Sequence, residues 1–254
     1  MCHLRALPGD VDYDQEKSLA WVYECAREDI KALQAGGVDA VLFSNEFSLP
    51  YLTRVETITV ACVASIIAQL KSDLEVPFGV DVLWDPRAAI DLAMATGAQF
   101  VREVFTGVYG SDLGLWNTNC GKVIRYQYAI GAQHARLFFN IVPESAAYLA
   151  PRQIADIARS RVFNTRPDAL CVSGLMPGVA ASSQVLEVVK NSVPEVPIFA
   201  NTGVRPDNIA DQLAIADGAI IGTAFKKDGN TWNPVDVDRV KVIMQEVEKI
   251  RKGL

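Results

Sequence analysis

Residues 77–105, with the sequence PFGVDVLWDPRAAIDLAMATGAQFVREVF, contain the repeating unit that decides the fold. They divide into a strand candidate, a helix candidate and a second strand candidate: Pro77–Leu83, Arg87–Thr96 and Phe100–Phe105. Asp85 followed by Pro86 is a typical helix start, because aspartate caps the first free N–H groups and proline fits the first helical position. Two apolar strands joined by a helix predict a parallel strand–helix–strand unit.

The same alternation runs along the rest of the chain. Short apolar runs that end in Gly, Pro, Asn or Asp are followed by longer segments with helical periodicity. The eight strand candidates are Cys2–Leu7, Ala40–Ser44, Pro77–Leu83, Phe100–Phe105, Leu137–Val142, Ala169–Ser173, Pro197–Ala200 and Ala219–Gly222. The helix candidates are Ser18–Ala35, Val55–Leu70, Arg87–Thr96, Cys120–Ile130, Arg152–Phe163, Ser182–Ser192, Pro206–Ala214 and Val235–Lys252. Most strand candidates are apolar on both faces, which is typical of parallel strands covered by helices.

Such an alternation fits either a closed (β/α)8 barrel or an open doubly wound sheet. A dinucleotide-binding open sheet would carry G-x-G-x-x-G after its first strand, whereas this chain has Leu7-Pro8-Gly9-Asp10 there. The chain has 254 residues, and a single barrel needs about 250. We therefore predict an α/β fold with one (β/α)8 TIM-barrel domain over residues 1–254, built on a closed, parallel, eight-stranded sheet.

The composition disfavours several classes of protein. A formal net charge of -6 and a pI near 5.0 argue against nucleic-acid binding, which depends on clustered lysine and arginine. The five cysteines form no C-x-x-C pair, so neither a zinc site nor a disulfide framework is indicated. No uncharged apolar run reaches the roughly 18 residues of a membrane helix. We therefore predict a cytoplasmic protein without membrane insertion. The apolar segment Val55–Leu70 can pack either within the barrel or against a second subunit, so a homo-oligomer stays an open alternative.

Polar residues cluster after the strand candidates, at the carboxyl ends where TIM barrels hold their active sites. A carboxylate that faces the apolar inside of a barrel has a raised pKa and can transfer protons. Asp81, Asp85, Glu103 and Glu46 are the candidate acid–base groups. The predicted catalytic set is Asp81, Arg102, Glu103, Asp85 and Asn140. A buried structural ion pair between Asp81 and Arg102 would explain those two residues equally well.

Glycines lie at or just after the ends of the last three strand candidates, and this pattern predicts a phosphate site. Glycine lets the backbone approach an anion closely, so that successive N–H groups point at its oxygens. TIM barrels frequently bind phosphate with the loops after the seventh and eighth strands. The predicted phosphate-binding residues are Gly174, Gly178, Asn201, Gly203, Gly222 and Thr223. Turns favour glycine in any case, but three consecutive strands that end this way favour the phosphate interpretation.

Four further residues are predicted to bind the rest of the substrate: Asn45, Glu46, Trp84 and Lys226. The carboxylates leave Mg2+ open as a cofactor, although no spacing motif supports a metal site. His3 and His134 are too few for a three-histidine zinc site. His3 lies at the start of the first predicted strand and His134 just before the fifth, both at the end away from the expected site, so we expect a structural role for His3.

Several of these stretches together resemble the BtpA/SgcQ family, and the sequence is more similar to the SgcQ branch. The matching segments are CHLRALPG at 2–9, GGVDA at 36–40, SNEFSLPY at 44–51, PFGVDVLWD at 77–85, FVRE at 100–103, NTGV at 201–204 and KKDG at 226–229. The resemblance implies a fold like that of the ribulose-phosphate-binding barrels. It also implies two kinds of role, because the family name comes from a protein implicated in photosystem I biogenesis, whereas the SgcQ-like branch is associated with sugar-phosphate genes.

From these features we expect a protein that binds a small phosphorylated metabolite, a sugar phosphate, and catalyses its isomerisation, epimerisation or aldol-type (lyase) cleavage. The alternative is a non-catalytic biogenesis, assembly or sensor protein of the BtpA type. An assembly protein has no need of polar residues at the barrel mouth, so their density favours the enzyme. The fold alone does not decide between these functions.

Overall fold

The computed structural model describes residues 1–144, 146–174 and 180–253. The strands in these residues are β1 Cys2–His3, β2 Val41–Ser44, β3 Phe78–Asp81, β4 Phe100–Glu103, β5 Val108–Ser111, β6 Gly114–Asn117, β7 Arg136–Asn140, β8 Ala146–Tyr148, β9 Ala169–Val172, β10 Ile198–Asn201 and β11 Gly218–Ile220. The helices are α1 Leu19–Ala35, α2 Thr57–Leu70, α3 Pro86–Thr96, α4 Cys120–Ala129, α5 Ile154–Thr165, α6 Ser183–Ser192, α7 Ile209–Leu213 and α8 Val237–Arg251.

Eight of the strands form one parallel sheet in the order β1-β2-β3-β4-β7-β9-β10-β11. They correspond to the eight strand candidates, so the predicted parallel α/β architecture is confirmed. The strand registers place His3 beside Ser44, and Ser44 beside Asp81. The Met1 backbone nitrogen donates to the Ile221 carbonyl at 2.6 Å, which brings the two edges of the curled sheet into contact. Within the described residues, however, no ladder pairing joins β1 to β11, so the predicted closed ladder is not completed.

Helix α3 begins as the sequence predicts. Asp85 caps it by accepting hydrogen bonds from the N–H groups of Arg87 at 3.1 Å and Ala88 at 3.2 Å, and Pro86 lies in the first turn. The other carboxylate oxygen of Asp85 accepts from the Val55 N–H at 3.1 Å. These three bonds hold the carboxylate at the helix start. The structure therefore assigns Asp85 to capping and does not support the predicted catalytic role.

A second, antiparallel sheet in the order β6-β5-β8 was not predicted from the sequence pattern. Its apolar side belongs to a separate hydrophobic cluster, which comprises Leu83, Trp84, Val104, Tyr109 and Trp116. Buried Arg161 of α5 connects this sheet to the rest of the protein. It donates to the Tyr109 hydroxyl at 2.9 Å and to the Ile141 carbonyl at 2.7 Å.

A column of phenylalanine rings packs across the inner face of the main sheet. The ring centroid of Phe138 lies 5.2 Å from that of Phe100 and 4.9 Å from that of Phe199. Glycines make the room for these rings, because a Cβ at Gly79 would lie 2.3 Å from the Phe100 ring and one at Gly218 would lie 2.5 Å from the Phe199 ring. Residues two apart in a strand share a face, so the column lies beneath the polar residues that follow on the same strands.

One large cluster of buried apolar residues extends from Cys2 to Val247 and forms the main core. Helix α2 buries Cys62, Val63 and Ile66 in it, and the use of its remaining surface in a homo-oligomer stays a prediction. Among the described residues, none of the helices combines the length and the apolar character that a membrane span requires.

Lys226 and Asp29 form a buried ion pair between the segment after β11 and helix α1. The Lys226 Nζ lies 2.7 Å from Asp29 Oδ2, and Asp29 Oδ1 accepts from the Val235 N–H at 2.7 Å. The two side chains are only 1% and 8% exposed. The structure thus gives Lys226 a packing role and does not support the predicted contact with substrate.

We expect Lys226→Met to lower the free energy of unfolding by about 3–5 kcal/mol, because it leaves the Asp29 carboxylate buried without its cation. Lys227→Met is the matched control, since Lys227 is the exposed neighbour and its replacement should cost less than about 0.5 kcal/mol. Denaturant unfolding of the two variants and the parent protein at neutral pH measures both values. Equal stability of the two variants would contradict the assignment.

Candidate active site

A cavity of about 800 Å³ opens at the carboxyl ends of the parallel strands. Residues from seven strand ends contribute to its wall: His3, Glu46, Trp84, Arg102, Glu144, Asn201 and Gly222. Ser111 and Trp116 of the antiparallel sheet, and Leu113 of the turn between β5 and β6, also line it. Concave sites with a few convergent polar groups at this edge are where such folds hold their ligands.

The backbone after the last two parallel strands forms one end of the cavity. After β10, Thr202 and Gly203 adopt φ angles of 71° and 69°, a region that favours glycine. After β11, Gly222 and Thr223 line the same space. A Cβ at Gly222 would lie 2.9 Å from His3 Nε2, so the loop after β11 packs directly against β1. The structure therefore brings Gly203, Gly222 and Thr223 of the predicted phosphate set together.

The remaining members of the predicted phosphate set have different positions. Asn201 lines the cavity, whereas Gly174 is not part of its wall, and Gly178 lies outside the described residues. Two arginines bring positive charge to this end. Arg239 lines the cavity and donates from Nε to the Ala224 carbonyl at 3.0 Å, and Arg205 lines it beside Asp207.

Asp81 and Arg102 form the buried ion pair that the sequence left open. Arg102 Nη1 donates to Asp81 Oδ2 at 2.8 Å, and Nη2 donates to Asn201 Oδ1 at 3.2 Å. The Asp81 side chain is 0% exposed, while the Arg102 guanidinium reaches the cavity wall and lies 5.3 Å from the centre of the Trp84 ring. Burial raises the pKa of Asp81 to about 6, against the opposing effect of Arg102. Arg102 therefore faces the ligand space, and Asp81 lies behind it.

Glu103 is fully buried beside this pair and does not line the cavity. Its two carboxyl oxygens accept hydrogen bonds from the N–H groups of Val82 and Val104, each at 3.0 Å. Burial and the nearby charge of Asp81 raise the pKa of Glu103 well above its usual range. The geometry makes Glu103 a group that fixes the strand ends, in contrast to the catalytic contact predicted from the sequence.

Glu46 is the carboxylate of the predicted set that reaches the cavity. Its side chain is 24% exposed, its Oε1 accepts from the Tyr51 hydroxyl at 3.3 Å, and its Oε2 lies 3.9 Å from His3 Nε2. Burial, followed by the charge of Asp81, raises the pKa of Glu46 to about 7. A carboxyl group with such a pKa exchanges protons readily near neutral pH.

Glu144 and Asn201 belong to a network of polar groups that follow β7 and end β10. Glu144 accepts a hydrogen bond from the Thr202 hydroxyl, and its oxygens lie 3.5 Å from the amide nitrogens of Asn140 and Asn201. The Asn201 amide also donates to the Ser173 hydroxyl at 2.7 Å. Asn140 belongs to this network without lining the cavity. It supports Glu144 instead of facing the ligand space as predicted.

Of the remaining residues predicted to contact substrate, Trp84 lines the cavity and Asn45 does not. Trp84 lines the cavity and packs against Trp116 with ring centroids 5.2 Å apart. Asn45 is buried, and its Oδ1 accepts from the Leu83 N–H at 2.7 Å, so it shapes the turn that carries Trp84. Among the described residues, no group of three or more His, Cys, Asp or Glu side chains is arranged to hold a metal ion.

His3 lies at the opposite end of its strand from the predicted one. Strand β1 ends at His3, whereas the prediction extended it to Leu7, and the shorter strand puts the imidazole at the carboxyl end, in the cavity wall. Its side chain is 3% exposed, and burial lowers its pKa well below the usual value. Tyr51, Thr231 and Arg239 also line the cavity and carried no signal in the sequence, because none lies directly at the end of a strand candidate.

The fold is shared with solved structures of low sequence identity. A native KDPGal structure matches with a TM-score of 0.58 and 16% identity, over 90% of each chain. Phosphoribosyl anthranilate isomerase from Thermus thermophilus matches with a TM-score of 0.59 and 12% identity, over 89% of this chain and 95% of that one. (S)-3-O-geranylgeranylglyceryl phosphate synthase from Thermoplasma acidophilum matches with a TM-score of 0.60 and 15% identity, over 89% of this chain and 88% of that one. This likeness shows a TIM-barrel-like fold.

Relatives in sequence cover nearly the whole chain. The putative sgc region protein SgcQ of Escherichia coli K12 is 57% identical over 99% of this chain and 94% of its own length. The photosystem I biogenesis protein BtpA of Synechocystis is 28% identical over 99% of this chain and 87% of its own length. The model of the BtpA family matches residues 1–249. This chain therefore belongs to the BtpA family.

Proposed function

We propose that the protein binds a sugar phosphate in this cavity and catalyses a proton transfer on it, as an isomerase or epimerase with Glu46 as the base. The observation that carries the proposal is that one cavity holds both the glycine-rich strand ends and the partly exposed carboxylate of Glu46. The first can bind the phosphate through backbone N–H groups. The second can take a proton from a carbon next to a carbonyl group.

The phosphate half of the proposal rests on the positions of Gly203, Gly222 and Thr223 after the last two parallel strands. In TIM barrels these two loops are the frequent phosphate site. The names of two structural neighbours refer to phosphorylated compounds, and one of these proteins is described in complex with sn-glycerol-1-phosphate. We also infer that the sheet closes as a barrel, which is supported by the Met1–Ile221 contact between its edges.

The catalytic half rests on the groups that face Glu46. They come from different elements: His3 from β1, Tyr51 from its own loop, Asp81 from β3, Arg102 from β4 and Glu144 after β7. In the proposed isomerisation, the Glu46 carboxylate accepts the proton on the hydroxyl-bearing carbon beside a carbonyl and returns it to the former carbonyl carbon, while the hydroxyl proton passes to the former carbonyl oxygen; in an epimerisation, a proton returns to the opposite face of the same carbon. The Arg102 guanidinium at the cavity wall stabilises the negative charge that develops on the oxygen.

Aldol cleavage through a lysine Schiff base has less support. Among the described residues, no lysine lines the cavity, and Lys226 is engaged with Asp29. The non-catalytic alternative is suggested by the name of the BtpA relative, which is a photosystem I biogenesis protein. That alternative predicts no change in the bonds of any ligand, so the deuterium-exchange experiment below distinguishes it from an enzyme.

We expect sugar phosphates to raise the thermal unfolding temperature of the protein more than inorganic phosphate does, because binding to the folded state adds stability. Thr223→Glu places a negative charge at the proposed phosphate end and should weaken binding at least about tenfold, or about 1.4 kcal/mol. Thr223→Gln is the control of matched size and should bind far better than the glutamate variant. Equal binding by the two variants would place the phosphate elsewhere.

We expect the protein to exchange a carbon-bound hydrogen of a bound sugar phosphate for deuterium in D2O, which proton NMR detects for ribose 5-phosphate and glucose 6-phosphate. A base acts in its ionised form, so the rate should rise with pH through about 7 and then level off. Glu46→Gln should bind the ligand and lose about 10²–10⁴-fold in rate. Undiminished exchange in this variant would remove Glu46 from the mechanism. Binding without any exchange in the parent protein would favour the sensor alternative.

A further inference from the structure

The cavity has an apolar wall that the proposed reaction does not use. Five residues form this wall: Tyr51, Leu83, Trp84, Leu113 and Trp116. All five belong to the smaller hydrophobic cluster of the protein or pack against it. The ring centroids of Trp84 and Trp116 lie 5.2 Å apart, and the Tyr51 ring meets Trp84 edge-on at 6.3 Å. One side of the ligand space is therefore bounded by aromatic rings and leucine side chains.

The strand order separates this apolar wall from the proposed phosphate end. Trp84 follows β3, and the antiparallel strand that carries Trp116 is inserted in the chain between β4 and β7. The phosphate end follows β10 and β11, which lie four places further along the sheet than β3 and β4. Because the curled sheet has eight strands and its edges meet, strands four places apart face each other across the interior.

Glu46 lies between these two ends of the cavity. Its Oε2 is 3.9 Å from His3 Nε2, and a Cβ at Gly222 would lie 2.9 Å from the same nitrogen. Its Oε1 accepts from the Tyr51 hydroxyl at 3.3 Å, and the Tyr51 ring contacts Trp84. The carboxylate thus has the phosphate end on its His3 side and the apolar wall on its Tyr51 side. A ligand with its phosphate at Gly222 and its reacting carbon at Glu46 meets the apolar wall with the atoms beyond that carbon.

Hydroxyl groups of a ligand do not suit this wall. The Tyr51 hydroxyl is already bonded to Glu46, and the Ser111 hydroxyl donates to the Gly114 carbonyl at 3.0 Å. A ligand hydroxyl placed against leucine and indole carbons loses its hydrogen bonds to water without replacement. An aromatic ring gains free energy by leaving water, and it packs on other rings in offset or edge-on geometry.

We propose that the ligand carries an aromatic ring at the end remote from its phosphate, and that this ring packs against Trp84, Leu113 and Trp116. The substrate class is accordingly a phosphorylated sugar with an aromatic substituent, which is larger than a simple pentose or hexose phosphate. This inference rests on the proposed function, since it takes the phosphate to lie at Gly222 and Thr223.

Phenyl β-D-glucopyranoside 6-phosphate and its methyl counterpart test the inference, because they share the sugar and the phosphate and differ only at the opposite end. Neither has a free carbonyl group, so both measure binding without turnover. We expect calorimetric titration to give at least about tenfold tighter binding of the phenyl compound, since burial of a phenyl ring is sufficient for such a ratio. Equal affinity for the two compounds, with binding that still responds to Thr223→Glu, overturns the inference while the phosphate site stands.

Leu113→Ser removes an apolar side chain from the wall and should lower the ratio of the two affinities at least about threefold. Leu115→Ser is the matched control, because the Leu115 side chain belongs to the same hairpin, is 67% exposed and does not line the cavity. This control should leave the ratio unchanged, and neither variant should alter the affinity for the methyl compound. The same ratio in both variants overturns the position assigned to the ring. If neither compound binds in a manner sensitive to Thr223→Glu, the proposed function itself fails.

Discussion

The buried ion pair between Asp81 and Arg102 is the interaction on which the site depends. The register of β3 and β4 pairs Val80 with Val101, so the two charged residues follow side by side on neighbouring strands. Burial of two charges is costly unless further hydrogen bonds satisfy them. Asn201 of β10 supplies such a bond, because its Oδ1 accepts from Arg102 Nη2 at 3.2 Å. One guanidinium therefore connects β4 to β10 across the interior, above the phenylalanine column.

The main sheet was predictable because its strands are short apolar runs whose pattern does not depend on distant residues. Asp85 before Pro86 likewise defined the start of α3 locally, as the three hydrogen bonds of its carboxylate confirm. The antiparallel sheet was not predictable in this way. Its strands contain only two buried residues, Tyr109 and Trp116, so they form no continuous apolar run. Trp116 packs on Tyr109 and on Trp84, which comes from another part of the chain.

The candidate site was likewise predictable only in part. The strand-end rule found Glu46, Arg102, Gly203 and Gly222, because their position depends only on where a strand ends. It misplaced His3, since Leu4–Leu7 continue the apolar pattern after the strand has stopped. The rule could not separate residues that face the ligand space from those behind it. Glu103 and Lys226 are buried by contacts with backbone N–H groups or with Asp29, and such contacts are long-range properties of the fold.

The antiparallel sheet also has a chemical consequence for Glu46. A carboxylate exposed to water has a pKa near 4, and removal of water is the first cause of the higher pKa of Glu46, about 7. Leu113 and Trp116 of this sheet form part of the cavity wall, so they help to exclude that water. Arg161 holds the sheet in place through Tyr109, without contact to the cavity itself. Glu46, the proposed base, thus lies in a cavity that this sheet helps to enclose.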